Sequence, residues 1–189
     1  MRSIYKIVVC SLLTLSITSC EKDLLEKEQY QKEIYLIGAY NRVWTTEVSY
    51  SNEEVKTYFT VSSSGTLALD RDVNVKMKIN EELVDIYNKK YWTVLNEDKY
   101  YKSLDTDLYS IPSLENTVIK HAEGISAEVP VLIKTASLKI DQSYVIPVEI
   151  ESTTGYPVST SGYKMLVGNN IALVIYGILM AQVIEQNIL

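Results

Sequence analysis

Cysteine occurs twice, histidine once and phenylalanine once among 189 residues, and glycine and proline together account for 11. So few thiols and imidazoles leave little material for a cysteine/histidine zinc site or for nucleophile chemistry. The shortage of glycine and proline excludes a collagen-like or low-complexity chain, and 47% hydrophobic against 22% charged residues excludes an unfolded one. Tyrosine is what the chain has in excess, with 15 residues. The length suits one domain and hardly two.

Residues 1–19 read as a signal peptide. Arg2 and Lys6 make a positive start, and Ile7 to Ile17 form an apolar run too short to span a membrane. The run ends in Ile17-Thr18-Ser19-Cys20, which resembles a bacterial lipobox: small residues admit a signal peptidase, and the thiol accepts diacylglycerol. Cys20 is therefore the expected lipidation residue, and the membrane a partner through that N-terminal lipid. Cys10 falls in the removed segment, so the mature chain keeps one thioether-linked cysteine and no disulfide. Loss of residues 1–19 removes two bases and no acid, taking the formal charge from −6 to −8. Nucleic acid is disfavoured as a partner on that count. Glu21-Lys22-Asp23 reads either as a solvated tether or as the export signal it resembles, which carries Bacteroidetes lipoproteins to the outer face of the outer membrane. The expected location is the outer membrane, lipid-anchored and facing the exterior.

The mature chain divides into a lipidated Cys20 and charged tether (20–32), a β-rich body (33–168) and an apolar tail (169–189). Asp72 to Ile79 carries the clearest strand pattern, with Val73, Val75, Met77 and Ile79 on one face and Asn74, Lys76 and Lys78 on the other. A helix is expected over Glu81 to about Lys89, capped by Asn80, with Leu83, Ile86 and Tyr87 on its buried face. Further strands are expected near Ile34–Leu36, Glu47–Tyr50, Tyr58–Val61, Asn116–Lys120, Ala127–Thr135, Tyr144–Ile150 and Tyr163–Val167. Pro130 and Pro147 should confine their strands to an edge or a bulge. Seven or eight short strands and one helix describe a mainly β fold, an Ig-like antiparallel β-sandwich.

Several segments taken together resemble the DUF1735 family, the BT_3987-like N-terminal domain of Bacteroidetes lipoproteins. They are Asp23-Leu24-Leu25 through Ile34-Tyr35-Leu36, Val73 to Met77, Leu83 to Asn88, Ile119 to Gly124, and Tyr144 to Ile150. The resemblance covers about residues 23–168, and its most specific pieces are the helix ending in Tyr87-Asn88 and the Tyr-x-x-Pro-x-x-Ile strand. It implies a β-sandwich of the kind that often precedes a glycan-binding or glycoside-hydrolase module in polysaccharide utilisation. No such module follows within this sequence, so no catalysis is carried over from it.

Candidate sites follow from side-chain chemistry. His121 lacks any accompanying Gly-x-Ser-x-Gly or HExxH pattern and is expected to be structural. Asp105 and Asp107 sit two apart in a polar loop, and Asp70 and Asp72 flank Arg71. The first pair is read as solvated and the second as a charged strand entrance, so neither an enzyme nor a metal or other cofactor is expected. Sugars stack their C–H faces on aromatic rings while nearby amides and carboxylates bind hydroxyls. Trp92, Tyr100, Tyr101 and Tyr109, with Asn96, Asp98 and Asp105, have that mixture, as does Trp44 beside Tyr40-Asn41-Arg42. Core packing competes for each of these rings. The expected role is a non-catalytic surface lipoprotein, binding glycan or acting as a spacer in a polysaccharide-utilisation system. The alternative is a structural or adhesive protein that uses its apolar tail to contact other outer-membrane proteins.

Overall fold

The computed structural model describes residues 27–39, 43–92, 94–139 and 142–172. The signal peptide, Cys20 and the tail from residue 173 lie outside the described residues, as do Tyr40, Asn41 and Arg42. Among the described residues, ten strands form two packed sheets, accompanied by one α-helix. The smaller sheet has the order β1 (Ile34–Leu36), β3 (Glu54–Ser63), β8 (Ser126–Lys134), β6 (Tyr109–Ser110). The larger has β2 (Val43–Ser49), β10 (Lys164–Ala172), β9 (Tyr144–Thr153), β4 (Val73–Ile79), β7 (Thr117–Ile119), with β5 (Lys102–Ser103) added beside β9.

The sandwich is the fold observed. It is mainly antiparallel, but β10 pairs with β2 in parallel, and so does β5 with β9. Alternation explains the layers: in β4, Val73, Val75 and Met77 are buried while Asn74, Lys76 and Lys78 face water. Phe59 and Val61 of β3, Val129, Val131 and Ile133 of β8, Ile146 and Val148 of β9, and Met165 and Val167 of β10 complete one continuous core.

Pro130 meets its expected restriction, because β6 covers only Leu132 and Ile133 on that side of β8. Pro147 does not. It is buried in β9, a central strand flanked by β10 and β4. Its missing N–H falls opposite Asn80, the residue just after β4 ends. Asn80 N–H donates to Pro147 O at 2.9 Å, while Asn80 O accepts from Leu83 N–H at 3.1 Å. The carbonyl that a ladder partner would have claimed is thus spent on starting the helix, and the proline leaves no acceptor orphaned.

The last strand also runs further than expected. β10 reaches Ala172, four residues beyond Gly168, because its parallel pairing with β2 continues to Ser49. At the other end, the expected tether is in contact with the body over residues 28–32, where Glu28, Gln29, Gln31 and Lys32 hydrogen-bond to the turn after β3.

Candidate functional site

The helix is an excursion from the larger sheet. Chain leaving β4 at Asn80 forms α1 (Glu82–Tyr91), and the following segment returns as β5 to the same edge of β9, at Tyr144 and Val145. Asn80 Oδ1 accepts from Glu82 N–H at 3.2 Å, as expected of a capping amide. Leu83 and Val84 are buried on the outer face of the sheet, against Val145 and Leu166, with Val43, Tyr87 and Tyr101 packed around them. Leu83, Val84 and Asn88 are the helix's buried residues. Ile86, expected on that face, is 52% exposed. The covered stripe is rotated toward Val84, because the sheet meets the helix where Val145 and Leu166 project.

Asn88 is only 4% exposed, and its amide makes two bonds to one residue. Nδ2–H donates to Tyr101 O at 2.9 Å, and Oδ1 accepts from Tyr101 N–H at 3.0 Å. The amide serves as a stand-in for a strand neighbour and pins the returning segment to the helix. That contact sets an aromatic cluster. The Tyr87 ring lies 4.5 Å from Tyr91 and meets Tyr101 edge-on at 5.4 Å. Burial raises the Tyr87 phenol above its ordinary range, with smaller contributions from the neighbouring tyrosines.

Beside this cluster a cleft of about 340 Å³ opens between α1 and the start of β10. Leu83 and Leu166 are its buried floor; Ile86, Tyr87 and Tyr163 give it apolar and aromatic walls, and Thr160, Ser161 and Lys164 give it polar ones. Lys164 Nζ stands 4.9 Å from the centre of the Tyr163 ring. An apolar floor with ring faces and a few hydroxyls suits a small amphipathic ligand.

Of the five aromatic residues expected to bind ligand, none lines this cleft, and Tyr101 alone adjoins it, through its ring contact with Tyr87. Trp92 follows the helix, its backbone N–H donating to Asn88 O at 2.9 Å. Its indole N–H is buried and has no hydrogen-bond partner among the described residues, and Lys99 Nζ lies 5.7 Å from the ring. Tyr101 belongs to the cluster through Tyr87, and Tyr100, beside it in the chain, accepts at its carbonyl from Gln142 Nε2 at 3.4 Å. Tyr109 does not join them. It lies on β6 in the smaller sheet, packed against the main core, where burial and then the charge of Glu81 raise its phenol. Trp44 is 37% exposed on β2, and a Cβ placed on Gly38 would come within 2.5 Å of its ring. With φ at +88°, Gly38 lets the loop pass over that ring. Tyr87, Ile86 and Tyr163 were missed by the sequence reading. Tyr87 alone carried a signal, its spacing of four from Tyr91, and that spacing serves packing equally well.

The polar candidates are engaged elsewhere. Asp70 is held by Arg71 Nε and Nη2, at 2.8 and 3.0 Å, and by Tyr156 Oη at 2.5 Å, which keep its carboxyl well below the ordinary range. Asp72 Oδ1 takes the His121 backbone N–H at 3.0 Å and contacts Nδ1 at 2.6 Å, joining the end of β7 to the start of β4. Asp105 and Asp107 are exposed at a 3-10 turn over Thr106–Leu108. Among the described residues no group of three or more His, Cys, Asp or Glu is placed to hold a metal, and no helix is long and apolar enough to cross a membrane.

A family model described as a "-like, N-terminal domain" matches residues 30–157. Among solved structures, a multidomain protein including DUF1735 from Bacteroides ovatus is 18% identical with a TM-score of 0.54, over 70% of this chain and 40% of that one. A candidate carbohydrate-binding protein from Bacteroides ovatus is 20% identical with a TM-score of 0.53, over 75% and 37%. Bacteroides thetaiotamicron EndoBT-3987, solved with a Man5GlcNAc product, is 19% identical with a TM-score of 0.50, over 72% and 30%. The chain thus spans between 30% and 40% of the length of these proteins, and the likeness is one of fold. No curated protein matches the sequence.

Proposed function

The chain belongs to the DUF1735 family of N-terminal domains, and from that premise we propose that it is a non-catalytic, glycan-binding lipoprotein anchored through Cys20 on the outer face of the outer membrane. In this reading the domain is a component of a polysaccharide-utilisation system, presenting a sugar to partner proteins or spacing them from the membrane. The observation that carries the glycan part is the cleft beside α1, which the aromatic Tyr87 and Tyr163 line together with the polar Thr160, Ser161 and Lys164. Support from the relatives is general. They include a candidate carbohydrate-binding protein and an endoglycosidase, each far longer than this chain. The non-catalytic part is supported by the engagement of Asp70 and Asp72 with Arg71, Tyr156 and His121, and by the separation of both from the cleft.

Affinity electrophoresis of the unlipidated Cys20→Ala chain through gels containing soluble polysaccharides tests this. At least one polysaccharide is expected to retard the chain. Ile86→Arg, which fills the cleft from an exposed position, should weaken that binding about tenfold, the factor corresponding to ~1.4 kcal/mol. Retardation by no polysaccharide, or retardation unchanged in Ile86→Arg, counts against the reading.

A further inference from the structure

Residues 28–33 have the charge pattern of a solvated tether, yet they lie against the turn that follows β3. Gln29 N–H donates to Thr66 Oγ1 at 3.0 Å, and Glu33 N–H to Ser64 Oγ at 2.9 Å. Ser64 answers with its own N–H to Glu33 O at 2.9 Å and its hydroxyl to Gln31 O at 3.1 Å. Glu28 is the centre of the arrangement. Its Oε1 accepts from Thr66 N–H at 2.6 Å and from Thr66 Oγ1 at 2.8 Å, and its Oε2 from Leu67 N–H at 3.3 Å. Lys32 pairs with Glu28 and also donates to Leu67 O, with its own side chain only 11% exposed. Gly65 permits the approach: at φ +113°, a Cβ there would fall 2.9 Å from Lys32 Cγ and 3.1 Å from Glu28 Oε1.

The turn occupies one end of the sandwich. It follows Ser63, the end of β3, and Ser63 N–H reaches Ile125 O at 2.8 Å, so the β7–β8 turn shares that end. The opposite end holds Glu53 and the start of β3, which pairs with Lys134. Ten residues of β3 put the two ends about 30 Å apart.

We propose that residues 28–33 are a docked lead that fixes the orientation of the domain on its anchor. The Ser64–Leu67 and Glu123–Ile125 turns then face the membrane, and the Glu53 end points away. This rests on the reading of Cys20 as the lipidation site. Seven residues, 21–27, separate Cys20 from Glu28 and span at most about 25 Å when fully extended. That is shorter than the sandwich, so a docked lead excludes the inverted arrangement, in which the far end meets the lipid with Glu28 one sandwich length above it. An undocked lead of thirteen residues, 21–33, reaches about 45 Å and lets either end approach. The charge state suits neutral conditions. Lys32 first, and then the Thr66 amide, lower the Glu28 carboxyl from 4.5 to about 2. A depressed carboxyl contributes above its ordinary range, and that contribution fades as the pH falls from 4.5 toward 2.

Energy transfer from the lipidated full chain to a lipid-borne acceptor in phosphatidylcholine vesicles tests the proposal. One fluorophore is placed through Glu123→Cys and, in a second preparation, through Glu53→Cys, with vesicle flotation measured in parallel. Transfer is expected to be several-fold higher from position 123 than from 53, and Glu28→Ala or Gly65→Val should shrink the difference. Equal transfer with flotation intact overturns the docked orientation alone. Unequal transfer that survives both substitutions overturns the lead as its cause. Loss of flotation in the natural sequence overturns the anchoring reading and this proposal with it.

Discussion

Asn88→Ala is expected to destabilise the protein by about 2–5 kcal/mol, more than any other substitution of a polar side chain considered above. The side chain is buried, and its two bonds end on the N–H and C=O of one residue, Tyr101. Alanine removes both partners together and leaves a backbone donor and a backbone acceptor unpaired between the helix and β9. Each such group costs roughly 1–3 kcal/mol when desolvated. Denaturant unfolding measures the loss, and hydrogen exchange at the Tyr101 amide locates it. Exchange there should accelerate before exchange in β9 does, because the segment is released locally. An unchanged unfolding midpoint would mean that water satisfies Tyr101 as well as the amide does. The same variant should weaken any glycan binding, since Tyr101 holds the edge of Tyr87.

Phe59→Ala is expected to cost about 3–5 kcal/mol, the range for truncating a large buried aromatic. Phe59 is 1% exposed, the largest of the fully buried side chains and the only phenylalanine in the chain. It lies opposite Val129, in a strand pair whose buried apolar positions, Phe59 and Val61 on one strand and Val129, Val131 and Ile133 on the other, follow period-2 alternation. The surrounding β-branched side chains have little rotamer freedom with which to collapse into the space. Lys76→Ala is the control. It removes an ion pair to Glu151 at 2.7 Å in which both side chains are well exposed, and the unfolding midpoint should stay in place. Equal shifts for the two variants would contradict the division into a buried and a solvated face.

Much of the fold was legible because strand alternation is a local property. Val73, Val75 and Met77 announce a buried face whatever lies against it, and Asn80 before two glutamates announces a helix start. Less of the site was legible. Periodicity groups Leu83, Ile86 and Tyr87 as readily as Leu83, Val84 and Tyr87, and only the position of Val145 and Leu166 decides between them. Trp44, Trp92 and Tyr109 share a composition that suits sugar stacking. Yet one ring lies over Gly38, one follows the helix and one packs on the main core.

Pro147 and Glu28 show the same division. Proline's lack of an N–H is fixed by its chemistry, and an edge position follows if every ladder carbonyl needs that donor. Here Asn80, 67 residues earlier, turns its carbonyl to Leu83, and a central strand accepts the proline. Glu28 in a charged run reads as solvated until the Thr66 and Leu67 amides, nearly forty residues later, are seen to converge on it. The mainly β class, the run of strands and the place of the helix could be read from the residues, because these depend on side-chain period and on backbone chemistry near each residue. The tertiary structure alone decided which helix face is covered, which aromatics share a cleft and where the lead docks. Those outcomes depend on hydrogen bonds and contacts between residues tens of positions apart, whose pairing no local pattern encodes.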